Sequence, residues 1–120
     1  MKKAGRPTVA ERVDALGTRR RLQALAALGW ASKNVADAAG LSGANVGLLM
    51  ARPKVQAVTA RRIAAVYDEL CMRVPVGRSK GERIAITRTR NMAAAKGWVP
   101  PLGWDDIDDP GENPGERKKA

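Results

Sequence analysis

Apolar residues recur every three or four positions along much of the chain, which is the spacing of one face of an α-helix. Two such stripes are Leu22, Leu25 and Ala26, and Ile63, Val66, Tyr67 and Leu70. We expect Thr18 to cap the first of these helices and Thr59 to cap the second. A shorter helix is expected from about Thr8 to Leu16, broken by Gly17. The pattern predicts an all-α fold, a small helical bundle.

Between the two stripes, residues 32–51 (SKNVADAAGLSGANVGLLMA) have the pattern of two short helices joined by a tight turn. Gly40 stands where the chain leaves the first helix, because a left-handed backbone costs glycine little. Ser32 and Ser42 are placed to cap the two helices. The positions expected to be buried are Val35, Ala36, Ala39, Leu41, Val46 and Leu49. This pattern predicts a helix-turn-helix, whose second helix enters the DNA major groove; an ordinary helical hairpin is the alternative.

The order of these residues resembles the lambda-repressor-like helix-turn-helix family. Together with GTRRRLQALAALGW, VTARRIAAVYDEL and AAAKGWVPPLGWDDIDDP, residues 17–110 are similar to small regulatory proteins of actinobacteria and their phages, phage immunity repressors among them. The resemblance implies a transcriptional regulator with residues 42–51 in the major groove. One departure is Gly43, because related repressors often carry a long amide side chain after the position of Ser42.

Positive charge is spread unevenly along the chain. The net charge is +10, and residues 1–99 carry 19 of the 22 Lys and Arg but only 6 of the 12 Asp and Glu. A basic body followed by an acidic tail is typical of a protein with a polyanionic partner, although solubility alone is the simpler explanation. The partner predicted here is double-stranded DNA, with neither a membrane nor a small-molecule ligand indicated.

Several classes of chemistry are disfavoured by composition. The chain has no histidine and a single cysteine, Cys71, which excludes Cys/His zinc sites, Ser-His-Asp triads and intrachain disulfides. Consecutive acids such as Asp105 and Asp106 in a Pro/Gly-rich tail rarely bind a metal ion. We therefore expect no enzyme, no metal and no cofactor. No apolar run reaches about 18 residues and no signal peptide is evident, so we expect a cytoplasmic protein.

The domain organisation follows from changes in composition. We expect a disordered basic arm at 1–8, a helix-turn-helix domain at 9–73, a linker at 74–81 and a disordered tail at 110–120. Residues 82–109 form a basic C-terminal module, in which a helix is predicted from about Thr87 to Lys96 and closed by Gly97. After it, a strap rich in Trp and Pro is expected to wrap back onto the helical body.

The predicted DNA contacts fall into three groups. Base-facing positions are Ser42, Gly43, Ala44, Asn45, Gly47 and Leu48. Predicted phosphate contacts are Arg19, Arg20, Arg21, Ser32, Lys33, Arg52, Lys54 and Arg61. Arginines crowd the first turns of two helices, where the helix dipole is already positive, so a nearby anion would stabilise them. A possible second DNA contact is Arg78, Lys80, Arg83, Arg88, Arg90 and Lys96, for which a solvated face is the alternative.

Three functions compete on this basis. A sequence-specific transcriptional repressor is preferred over an architectural or DNA-packaging protein of low sequence specificity. An enzyme acting on nucleic acid is disfavoured by the absence of histidine. The oligomeric state is left open between a monomer and a weak homodimer, because the chain has no heptad run.

Overall fold

The computed structural model describes residues 11–114, which form five α-helices and one two-stranded sheet. The helices are α1 (Leu16–Leu28), α2 (Ser32–Ala39), α3 (Gly43–Leu49), α4 (Ala57–Leu70) and α5 (Lys80–Ala95), and the strands are β1 (Arg12–Asp14) and β2 (Lys54–Gln56). The prediction of a mainly helical protein is confirmed, but the sheet was not predicted. The expected basic arm at 1–8 lies outside the described residues.

The small sheet replaces the helix expected before residue 17. β1 and β2 are antiparallel, with Val13 opposite the buried Val55. On either side of this pair, the Ala15 N–H donates to the Pro53 carbonyl and the Ala57 N–H donates to the Glu11 carbonyl. The prediction of a helix over 11–15 is therefore wrong, because pairing with a distant segment satisfies this backbone; residues 8–10 lie outside the description.

Two predicted helix starts are also wrong. α1 begins at Leu16 and runs through Gly17, and Thr18 is buried in its first turn instead of capping it. The Leu16 N–H donates to the Asp14 carboxylate at 3.0 Å, which replaces the missing cap. α4 begins at Ala57 instead of after Thr59, because the chain passes directly from β2 into the helix.

The core lies between α1, α2, α3 and α4, as the apolar stripes predict. Its largest fully buried side chains are Leu25, Ile63, Val35 and Val46, one from each of these four helices. Tyr67 and Leu70 are only partly buried at its edge. Among residues 11–114, no helix has the length and apolar character needed to cross a membrane.

α5 packs against α1 and is longer than predicted. It begins at Lys80 because the Ser79 hydroxyl accepts the Glu82 N–H at 3.1 Å, while the Glu82 carboxylate accepts the Arg78 N–H at 2.7 Å. This pair resembles a capping box, except that Glu82 accepts the N–H of the residue before the N-cap, and its Ser-x-x-Glu spacing is visible in the sequence. Residues 80 and 81 therefore belong to the helix instead of to a linker. Gly97, with φ of +74°, closes it as predicted.

After α5, the chain returns to the start of α1 as the predicted strap. Val99 is buried, and the Arg20 guanidinium lies 4.6 Å from the centre of the Trp104 ring. Glu112 is also buried, and its carboxylate accepts the N–H groups of Asp105 and Asp106 at 2.8 and 2.6 Å. The prediction of a disordered tail is therefore wrong for residues 110–114, and residues 115–120 lie outside the description.

Candidate nucleic-acid interface

α2 and α3 are joined by the three-residue turn Gly40, Leu41 and Ser42. Gly40 has φ of +71°, and the Leu41 N–H donates back to the Ala36 carbonyl at 2.9 Å. The Ser42 hydroxyl then accepts the Asn45 N–H at 3.1 Å, which caps α3 as predicted. This sharp change of direction lets α3 lie across α2 with one face still exposed.

The start of α2 differs from the prediction. Ser32 is the first helical residue, and its neighbour Ala31 occupies the N-cap position. The Asn34 side chain accepts the Ala31 N–H at 3.0 Å and so supplies the polar contact that Ser32 was expected to provide. Ser32 and Lys33 are both exposed there, so a phosphate could reach either side chain, as predicted for a DNA contact.

α3 has one buried edge and one exposed face. Val46 and Leu49 are buried against the other helices, as predicted. The exposed residues of the helix are Gly43, Ala44, Asn45, Gly47 and Leu48. Leu48 is 50% exposed and is the only large apolar side chain of this face. The helix ends at Leu49 instead of residue 51.

A groove of about 180 Å³ runs between α3 and the sheet. Asn45 and Leu48 line it from α3, and three exposed cations, Arg12, Arg52 and Lys54, line it from the strands and the α3–β2 connection. The helix face and the cations therefore share one surface. Arg12 was missed by the sequence analysis, because only the pairing of β1 with β2 brings it to this groove.

The first turn of α1 meets this surface through Arg19. Its guanidinium Nη1 donates to the Arg52 carbonyl at 3.0 Å, which ties the start of α1 to the connection that follows α3. Arg19 is half-buried, and it retains further N–H donors. Of the three consecutive arginines of α1, it is the one that the structure brings to the groove.

Arg20 is held by the C-terminal strap instead. Its guanidinium donates to the carbonyls of Ile107, Asp109 and Glu112 at 3.1, 2.7 and 2.8 Å, and it stacks over Trp104. The Arg20 guanidinium is therefore bound within the protein by three carbonyls and a tryptophan ring, which take the place of the predicted phosphate contact.

Arg21 forms a two-pronged ion pair with Asp108, with N···O distances of 2.8 and 3.0 Å. These hydrogen bonds hold the pKa of Asp108 below its ordinary value and raise the pKa of Arg21. The Arg21 guanidinium also lies 5.6 Å from the Tyr67 ring, and burial raises the pKa of that phenol. The crowding of positive charge in α1 is therefore relieved by the acidic strap.

The remaining predicted cations are scattered over two other surfaces. Arg61 is exposed on α4. On α5, Arg90 donates from Nε to the Leu28 carbonyl at 2.9 Å, and the Lys96 ammonium lies 5.7 Å from the Trp98 ring. Arg78 precedes the α5 cap and is exposed. The other three basic residues of that group, Lys80, Arg83 and Arg88, are exposed and line one surface of α5.

The polar side chains that line the groove beside α3 are three cations, the amides of Asn45 and Gln56 and the Thr59 hydroxyl, all of which can hydrogen-bond to a bound ligand. Among residues 11–114, no group of three or more His, Cys, Asp or Glu side chains is arranged to hold a metal ion. Comparisons of the chain with models of protein families, with curated proteins and with solved structures gave no match.

Proposed function

We propose that this protein binds double-stranded DNA in a sequence-specific manner and acts as a transcriptional repressor. In this proposal α2 and α3 are a helix-turn-helix, and α3 lies in the major groove, which is about 12 Å wide and admits a helix. The supporting observation is the exposed face of α3, which shares one surface with Arg12, Arg52 and Lys54. The resemblance of residues 17–110 to actinobacterial and phage regulators makes a phage immunity repressor the preferred form.

Phosphate contacts position α3 in this proposal. Arg12, Arg52 and Lys54 flank the helix face, and Arg19 approaches the same connection. Ser32, Lys33 and Arg61 are retained as outer contacts because they are exposed. Arg20 and Arg21 are not retained, because the strap occupies both guanidinium groups.

Base contacts come from few side chains. Asn45 offers an amide for hydrogen bonds to a base edge, and Leu48 and Ala44 offer methyl groups to thymine. A Cβ added to Gly43 or Gly47 would meet nothing within 4 Å, so no packing inside the described protein requires either glycine. Since glycine in a helix interior costs about 1 kcal/mol relative to alanine, a close approach of the α3 backbone to the groove floor accounts for Gly47, and Gly43 at the first helical position leaves the same approach open.

Salt dependence tests the electrostatic part of the proposal. If about eight phosphates are contacted, the slope of log K against log salt is roughly −7. Arg52→Ala combined with Lys54→Ala should bring this slope closer to zero by about two, because each phosphate contact contributes about one. Fluorescence anisotropy with duplexes found by footprinting on the protein's own genome measures both values.

Arg73→Ala is the matched control, because Arg73 is exposed on the segment after α4 and is outside the proposed contacts. It should leave the slope within about half a unit of the wild-type value. A wild-type slope near zero, or an equal effect of Arg73→Ala and the double variant, contradicts the proposal.

An architectural or DNA-packaging protein is the second candidate. It is favoured by the composition of the α3 face, where Gly43, Ala44 and Gly47 stand in place of long polar side chains. Competitor DNA separates the two functions. A repressor keeps one footprint under an excess of non-specific duplex, whereas an architectural protein loses all protection.

A further inference from the structure

α5 carries a second exposed face that the α3 site does not use. Its residues recur at helical spacings of three and four, and we call them the outer face of α5: Lys80, Arg83, Ile84, Thr87, Arg88 and Asn91. Five of its six side chains are polar or charged, and Ile84 is 45% exposed between them. Within residues 11–114, the side chains of Lys80, Arg83 and Arg88 form no hydrogen bond or ion pair, so their charged groups are available to a ligand.

Other polar side chains of α5 are engaged within the protein. Arg90 donates from its guanidinium to the Leu28 carbonyl, and the Thr89 hydroxyl donates to the Ala85 carbonyl at 2.9 Å. Thr89 therefore lies away from Thr87, whereas Arg90, seven residues after Arg83, borders the outer face and turns its guanidinium toward α1. This division could not be made from charge alone, because all six basic candidates of this region have the same sign.

We infer that the outer face of α5 is a second DNA-binding surface that enters a major groove and contacts bases. The inference rests on the proposed function, because it takes the same duplex as its ligand. Arginine pairs with guanine, asparagine pairs with adenine, and the methyl groups of threonine and isoleucine contact thymine. The outer face of α5 carries all of these residue types, whereas α3 offers one amide and small apolar groups.

The charge of the outer face of α5 indicates which kind of partner it fits. Three cations and no acid lie on the outer face, so a second copy of this chain would bring like charges together. A membrane surface would be met by one aliphatic side chain, Ile84, which is little apolar area for insertion. A polyanion that also offers hydrogen-bonding edges fits the mixture of cations, amide and hydroxyl.

The two exposed helices lie at the two ends of the helix packing. α3 packs on α2, α2 on α4, α4 on α1, and α1 on α5, and the longest dimension of the molecule is 53 Å. Successive major grooves on one side of a duplex are about 34–36 Å apart. One molecule is therefore long enough to reach two grooves, and the inference predicts a long, asymmetric site that needs no dimer.

The test is a selection of binding sequences by the full chain from random duplexes longer than two helical turns, about 21 base pairs. The wild type should enrich two blocks of preferred bases about one turn apart. Thr87→Ala combined with Asn91→Ala changes no charge and should reduce base preference about tenfold in one block only, the value of about one good base contact. Asn45→Ala combined with Leu48→Ala should affect the other block.

Matched controls come from Thr89 and Arg90, whose side chains are hydrogen-bonded within the protein. Thr89→Ala should leave both blocks unchanged, and Arg88→Ala should weaken binding more than Arg90→Ala, with thermal unfolding checking that each variant is folded. The inference is supported if the wild type enriches two blocks and each pair of substitutions affects only one of them. A single block, or two blocks that the α5 variants leave intact, overturns it while the proposed function stands. No enrichment by the wild type overturns the proposed function itself.

Discussion

Two arginine-rich helices of this protein, α1 and α5, carry similar charge but have opposite surroundings. On α1, Arg20 and Arg21 are held by carbonyls, a tryptophan ring and a carboxylate from the acidic strap. On α5, Lys80, Arg83 and Arg88 face away from the protein. The difference teaches that a run of arginines is available to an external anion only where the chain supplies no acceptor or anion of its own.

The largest expected effect is a loss of stability when an arginine of α1 is removed, which the equivalent change on α5 should not cause. Arg20→Ala removes three hydrogen bonds from a charged donor and a cation–π contact. At about 1 kcal/mol for each, the free energy of unfolding should fall by about 3–4 kcal/mol. Urea denaturation measures the loss, and hydrogen exchange at residues 104–112 should show the strap released from α1.

Two variants sharpen this result. Arg20→Lys keeps the charge but not the planar fork, so it should restore less than half of the lost stability. Arg88→Ala removes the same charge from α5 and should change the free energy of unfolding by less than about 0.5 kcal/mol, as for other surface positions. If Arg20→Ala and Arg88→Ala destabilise the protein equally, the contrast between α1 and α5 is wrong.

The next largest effect is expected from a substitution that disrupts the packing of α5 against the end of α1. Gly29 follows α1 with φ of +113°, and an added Cβ would lie 2.9 Å from both the Ile86 Cγ2 and the Pro75 Cγ. Gly29→Ala therefore combines backbone strain with overpacking, and we expect a loss of about 2–3 kcal/mol in the free energy of unfolding.

Gly40→Ala is the control for backbone strain alone. Gly40 has φ of +71°, but its added Cβ would meet only the Arg62 guanidinium at 3.9 Å. The expected loss is about 1 kcal/mol, from strain without a clash. Thermal or urea unfolding compares the two variants, and equal losses would show that the contact between α5 and the end of α1 is loose.

Local signals account for the parts of the fold that the sequence predicts well. The α2–α3 pair follows from helical spacing, from Gly40 at a left-handed position and from Ser42 as a cap, all within a few residues of each other. The start of α5 carried an equally local signal in Ser79 and Glu82. The β-branched residues that follow, Ile84, Ile86 and Thr87, alternate in a way that also fits a strand, and this is why the helix was predicted to start only at about Thr87.

Contacts between distant segments account for what the sequence does not predict. β1 and β2 are three residues each and carry one apolar residue apiece, so only their pairing identifies them. Arg21 and Asp108 are 87 positions apart, and nothing near either residue indicates the other. Arg12 in the candidate interface and the burial of Glu112 depend on the same kind of long-range contact.

The smallest expected effect concerns the ion pair that links α1 to the strap. Because Arg21 holds the pKa of Asp108 below its unfolded value, about 3.9, the ionised pair stabilises the folded protein above that pH. The contribution is lost as the pH falls through the lower folded pKa. The Asp108 side chain is 59% exposed, so water screens the pair and its contribution should be below about 1 kcal/mol.

Asp108→Asn isolates the contribution of this charge. The difference in free energy of unfolding between wild type and variant should be present at pH 7 and should shrink toward pH 3. A difference that stays constant over this range would mean that packing of the strap, and not the charge of Asp108, holds this part of α1.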